Sequence, residues 1–181
     1  MLAQAPQKLE IKPVAEKKLK QLPPGPLHWR IETFRSLAEA QAQAAANEAA
    51  LACEISGKAW LFTLGAKGGA TVGGTRVAEI GPVPVAPARE YLLRINHAVG
   101  PPGAKTRVHT HPGSEAFYVL GGRLGQKTPH GVAYAEVGQS MNGHGADTPM
   151  EVFSAGTTDL TQLVMFVVDA TRPFSSPAKF E

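Results

Sequence analysis

From Lys58 to the C terminus the sequence alternates in polarity and is interrupted at short intervals by Gly, Pro, Asn and Asp. A period of two places successive side chains on opposite faces of an extended strand. A turn residue at each gap keeps every strand short. Strands are expected at 60–64, 75–80, 90–99, 106–111, 115–120, 123–127, 131–137, 149–154 and 159–171. About nine short strands at this spacing have to bury their apolar faces against one another, as in a sandwich or a closed barrel. The chain therefore reads as all-β. Its low charge, 18% of residues against about 25% in an average domain, fits a turn-rich β protein better than a helical bundle.

The N-terminal third reads differently. Residues 1–30 form a Lys- and Pro-rich arm, in which Pro23, Pro24 and Pro26 exclude a helix and leave the chain extended or disordered. Residues 31–88 supply a helix and additional strands packed on a barrel formed by 89–181. Ser36 with Glu39 three residues later is a capping box. The Ala-rich sequence behind it predicts a helix to about Cys53. The strands near Trp60 and Thr75 are expected to widen one sheet of the barrel, and His28-Trp29 to anchor the arm. Ala3-Gln4-Ala5 has the small-x-small form that ends a secretory signal peptide. It points to a periplasmic or secreted protein; the other reading is a chance triplet in a cytoplasmic one.

Charge excludes one class of partner. The net +3 lies in the arm, where Lys8, Lys12, Lys17, Lys18 and Lys20 face only Glu10 and Glu16. A neutral body with a basic arm, and no aromatics among its lysines, is no nucleic-acid binder. No apolar run approaches the roughly 18 residues of a membrane-spanning helix. Cys53 is the sole cysteine, which excludes an intrachain disulfide framework.

The chemistry concentrates in the stretch from Gly103 to Gly122. His109 and His111 are two apart on an expected strand, so both imidazoles face one side. Pro112-Gly113 turns the chain, and Glu115 opens the next strand toward the same space. Two histidines and one carboxylate converging inside a barrel suit a divalent transition metal and leave coordination positions open.

This stretch resembles the first motif of the cupin superfamily: Gly, five residues, His-x-His, three or four residues, Glu, six residues, Gly. Gly103, His109, His111, Glu115 and Gly122 stand at the fixed positions. The resemblance covers about residues 89–171. It implies a double-stranded β-helix (jelly-roll) barrel, here with an N-terminal extended arm and one α-helix, and one divalent metal held by His109, His111 and Glu115. It also implies a homodimer, since cupins often pair through outer sheets.

The second cupin motif departs from the pattern. Gly138-Gln139 resembles its start and Gly143–Asp147 occupies the turn, but Met150 stands where a ligand histidine is expected. Three readings are open. Met150 is a thioether ligand, which would favour copper. Or Met150 packs beside a three-ligand site. Or His144 supplies the nitrogen from the turn. Arg107 is in phase with the histidines and is a candidate to hold an anionic substrate. Phe117, Val119 and Gln126 share the inward phase and should line the pocket with His144, while Tyr118 and Leu120 face away.

The resemblance implies a metal-dependent enzyme on a small organic substrate, a dioxygenase-like oxidoreductase first and an isomerase or lyase next. It does not distinguish iron, manganese, nickel, copper and zinc, and no catalytic residue beyond the ligands is assigned. The alternative is a non-catalytic cupin that holds a metal or small ligand.

Overall fold

The computed structural model describes residue 5 and residues 7–181. Ala3 and Gln4 of the signal-like triplet lie outside the described residues. In chain order the elements are β1 (Glu10–Leu19), β2 (His28–Phe34), α1 (Leu37–Ala46), β3 (Ala50–Ile55), β4 (Lys58–Gly65) and β5 (Thr75–Ile80). There follow β6 (Tyr91–Gly100), β7 (His109–Thr110), β8 (Gly113–Gly121), β9 (Arg123–Thr128), β10 (Gly131–Glu136), β11 (Ser140–Asn142), β12 (Glu151–Ser154), β13 (Leu160–Asp169) and β14 (Ser176–Pro177).

One sheet runs β1-β6-β13-β8-β11. Facing it are β10-β9-β12 and β14-β7, which the bridge between His109 and Met150 links. From β6 to β13 the eight strands therefore alternate between two antiparallel sheets, first with eighth, third and sixth in one, second with seventh, fourth and fifth in the other. That order is the jelly roll, two Greek keys folded on each other. The expected cupin-type barrel is the observed architecture. Gly122 shows why the motif needs its glycine. Its φ is +71°, and a Cβ there would run into the backbone carbonyl of Asp159.

Three expectations need correction. First, the helix ends at Ala46, not near Cys53. Asn47 stops it: its Oδ1 accepts the Ala49 N–H at 2.9 Å, and its carbonyl accepts the Ala50 N–H at 3.1 Å. Residues 50–55 then run as β3, with Leu51, Cys53 and Ile55 on one face. Second, the strands near Trp60 and Thr75 do not widen a barrel sheet. They join a separate four-stranded sheet, β3-β4-β2-β5. Third, the arm is part of the barrel. β1 pairs with β6 from Glu10↔Val99 to Leu19↔Tyr91 and is what widens that sheet. It lies at the sheet edge, where Pro13, with no N–H to donate, is tolerated at a break in register.

Four layers result. The two jelly-roll sheets enclose Leu92, Phe117, Leu124, Met150, Leu160, Val164 and Phe166. The outer face of the five-stranded sheet offers Leu93, Ile95, Ala116, Leu163, Met165 and Val167 to Trp29, Ile31, Leu51, Trp60 and Phe62 of the four-stranded sheet. Trp29, expected as an anchor, is fully buried there. Helix α1 covers the far side through Ala40 and Ala44 against Phe34, Ala50, Ala59 and Leu61. Alanine suits this position because it lets a helix lie close to a sheet.

Candidate functional site

The motif residues gather where β7 meets β8. His109 exchanges two backbone hydrogen bonds with Met150, His109 N–H to the Met150 carbonyl at 3.0 Å and Met150 N–H to the His109 carbonyl at 2.9 Å. Directly opposed residues of an antiparallel pair share a face, so the Met150 side chain joins the barrel interior behind His109. Pro112-Gly113 turns the chain into β8. Gly113 packs so closely on Val167 that a Cβ would strike its carbonyl oxygen. In β8, Glu115 points inward with Phe117 and Val119, while Tyr118 and Leu120 pack toward the four-stranded sheet.

Both imidazoles are fixed through their Nδ1 atoms. His109 Nδ1 lies 2.7 Å from the Arg107 carbonyl, and His111 Nδ1 lies 2.6 Å from the Phe174 carbonyl. A carbonyl only accepts, so each Nδ1 carries the proton and each Nε2 keeps a lone pair. The two rings meet edge to face with centroids 4.9 Å apart. His111 is further held between Phe166 and Phe174, at 4.9 and 4.8 Å. Burial pushes its pKa down to about 4, against the smaller opposing effect of the hydrogen bond to the Phe174 carbonyl and with the Arg94 charge acting in the same direction as burial.

Glu115 is 3% exposed. Burial pushes its carboxyl up to about 8, against the smaller opposing effect of a hydrogen bond from Gln126 Nε2 to Oε1 at 3.1 Å. The same Nε2 lies 3.6 Å from the Met150 sulfur. Glu115 Oε2 is 3.8 Å from His111 Nε2. That contact is not an ion pair at neutral pH, because burial drives both partners to their neutral forms.

A cavity of about 360 Å³ opens beside these groups. Buried His111 and Glu115 mark its inner end, with half-buried His109 beside them. Leu9, Ile11, Phe117, Val164, Phe166 and Phe174 form apolar walls, and Lys8, Lys105 and Arg107 stand around the mouth. Of the sequence-derived candidates, Arg107 and Phe117 line this cavity. Val119, Gln126 and Met150 are buried behind its lining. His144 is not brought in: its Nε2 lies 3.5 Å from Thr128 Oγ1 and its ring 5.0 Å from that of His130. Among the described residues no three His, Cys, Asp or Glu side chains are drawn together as a metal-binding group. His109, His111 and Glu115 share one face without converging on one point.

Three residues of the site escaped the sequence reading. Asn96 and Gln162 line the cavity floor, 5% and 1% exposed. For Gln162 the signal was available, since it interrupts the otherwise apolar inward phase Leu160, Val164, Phe166 and Val168; Asn96 shares its phase with Arg94 and stood out less. Phe174 lies past the last expected strand and carried no signal.

No protein-family model matches the chain, and no curated protein matches it in sequence. Solved structures align with part of it. A structure of DMSP lyases covers 48% of this chain at 22% identity and a TM-score of 0.41. A cupin-like protein from Thermotoga maritima covers 48% at 16% identity and a TM-score of 0.43. A polyketide cyclase from Streptomyces resistomycificus covers 49% at 18% identity and a TM-score of 0.41. The aligned part spans 44%, 64% and 62% of those chains, respectively. These are partial likenesses of fold, and the strand order described above is what makes this chain a jelly roll.

Proposed function

We propose that the chain is a metal-dependent cupin-type enzyme that oxidises a small organic molecule in a dioxygenase-like reaction, with His109, His111 and Glu115 as ligands of one divalent transition metal. The supporting observation is the pair of Nδ1–carbonyl hydrogen bonds. They leave two Nε2 lone pairs, that of His111 3.8 Å from a buried carboxyl group with no cationic partner among the described residues, and this donor chemistry fits such an ion. The His109 ring has to turn toward Glu115 for the three to act together. Iron, manganese, nickel, copper and zinc all accept this donor set. Bound there, the ion supplies Lewis acidity or redox capacity at the inner end of the cavity.

The chain's own residues do the rest. The Phe174 carbonyl holds the His111 Nδ1 proton and so fixes its tautomer, and the Arg107 carbonyl does the same for His109 in the observed rotamer. Gln126 Nε2 orients the Glu115 carboxyl through Oε1. Phe166 and Phe174 keep water from the His111 ring. Loading the site takes the proton off Glu115, so uptake is stronger above about pH 8 than below it.

Elemental analysis of tag-free protein tests the assignment. Wild type is expected to hold close to one metal per chain and His109→Ala to lose it. A wild type that takes up none of the five metals overturns it. One contact favours a second reading, a binding protein without turnover: Gln126 and Met150 close the far side of Glu115. Met150→Ala decides whether the thioether is a ligand, by a change of bound metal, or only packs.

Export rests on Ala3-Gln4-Ala5 alone, and N-terminal sequencing of the native protein reads it. The expected homodimer must use a surface other than the outer face of the five-stranded sheet, which this chain covers itself. Light scattering measures that.

A further inference from the structure

The cavity is polarised along its length. Strand register sets the order of its floor. Glu115 lies opposite Phe166, Phe117 opposite Val164, and Val119 opposite Gln162. Val164 in turn lies opposite Asn96. Asn96 therefore stands one inward position along from Glu115 and Gln162 two, at about 7 Å per inward step. Lys8 and Lys105, which bridge to each other, mark the outer end with Arg107.

Two buried amides lie along this floor. Asn96 and Gln162 both line the cavity, on neighbouring strands and one inward step apart. Asn96 Oδ1 and Gln162 Oε1 have no hydrogen-bond partner among the described residues. An occupant with a polar group at that depth can pair with these amides. The mouth adds a second condition. Lys105 is paired with Glu151 at 3.3 Å, whereas Lys8 and Arg107 have no ion-pair partner among the described residues. The walls between are apolar, so the body of the occupant is apolar as well.

We propose that this cavity binds a small amphipathic carboxylate: an apolar body carrying one hydroxyl or amide group that meets Asn96 and Gln162, with its carboxylate at the mouth against Lys8 and Arg107. The proposal names the substrate class of the site assigned above and rests on that assignment for its inner end. The orientation follows from charge. A ligand carboxylate at the mouth meets the two cations of Lys8 and Arg107, which leaves the polar group of its body to the two amides. Lys8 and Arg107 supply charge, and Asn96 and Gln162 supply selectivity. Rejection is strong in the second case because an occupant without the polar group leaves buried amides unpaired.

The test uses three matched probes: 3-(4-hydroxyphenyl)propanoate, its neutral amide and 3-phenylpropanoate. Binding is measured by calorimetry on the full chain, metal-loaded and metal-stripped, with metal content read on the same samples. The hydroxy acid is expected to bind about tenfold tighter than its amide, an advantage that salt erodes. It is expected to exceed 3-phenylpropanoate by about tenfold or more. Lys8→Gln with Arg107→Gln should abolish the first preference and keep the second. Gln162→Leu should abolish the second and keep the first, with circular dichroism confirming that each variant folds. Should Gln162→Leu fail to fold, Asn96→Ala takes its place.

Discrimination by a protein that takes up none of the five metals sustains the carboxylate site and overturns the metal centre. A metal-replete protein that binds the three probes equally, or none at millimolar concentration, overturns the carboxylate site and leaves the metal centre standing. A preference for the neutral amide overturns it as well.

Discussion

The two faces of the five-stranded sheet come from the same residues taken alternately, and they are built for opposite ends. Outward, Leu93, Ile95, Leu163, Met165 and Val167 meet the four-stranded sheet in a dry apolar layer. Inward, the same strands carry Asn96, Gln162 and Glu115 beside a cavity. Burial there favours the neutral form of the carboxyl. The dry face can anchor the strands, and the polar face can then carry groups that a core of its own would reject. Stability and chemistry are divided between the faces of one sheet.

The largest effect that would break this comparison is expected on the dry face. Trp29→Ala should cost about 3–5 kcal/mol of unfolding free energy by opening a void between the sheets, measured by chemical denaturation. Cavity ligand binding in the folded fraction should be unchanged. A loss of binding in the folded fraction would show that the faces are not independent.

A pH series on metal-free protein reads the inward face. Glu115, raised to about 8, contributes stability that is present below its ordinary carboxylate range and is lost as pH rises through about 8. His111, lowered to about 4, contributes stability that is present above its ordinary pKa near 6.5 and is lost as pH falls through about 4. The two slopes oppose each other between about 4.5 and 6.5, where the pair nearly cancels and His97 and His144, also lowered by burial, leave a gentle rise with pH. Above that window Glu115 sets the slope, and stability should fall by up to about 1.4 kcal/mol per pH unit until about pH 8. Glu115→Gln should remove the fall, and a fall that survives this change would assign it elsewhere.

A smaller effect tests the outermost layer. The Ser36 hydroxyl accepts the Glu39 N–H at 3.2 Å. Ser36→Ala should cost about 1 kcal/mol in thermal or chemical unfolding, with metal content unaltered. The smallest effect is expected at Cys53, whose thiol burial pushes up to about 12. A thiol reagent at pH 8 should leave it unmodified in folded protein and modify it in denaturant. Ready reaction in the folded state would show that the layer is not dry.

The barrel and its inward residues were legible because a period of two is hard to mistake and because His109, His111 and Glu115 keep fixed spacing around a turn. The four-stranded sheet was not. In β3 the apolar members Leu51, Cys53 and Ile55 alternate as a strand should, but Ala50 and Ala52 between them read as more of the preceding helix. Alanine has no side chain with which to show which face it occupies, so propensity extended the helix and tertiary packing overrode it. The arm misled in another way. Its lysines advertised solvent, while Leu9 and Ile11, too sparse to set a period, were what joined it to the cavity. His144 lies close to Met150 in the chain, but its ring goes to His130 and Thr128 instead.

The cavity draws its walls from both ends of the chain, Leu9 near the start and Phe174 near the finish. A nascent polypeptide emerges in sequence order, so β1 has to wait for β6, and His111 gains the carbonyl that holds its Nδ1 proton only when residue 174 has been made. Topology with such distant partners closes late. The pocket therefore closes only after residue 174 has emerged, and a product stalled before that point would carry the motif residues without the enclosure they require.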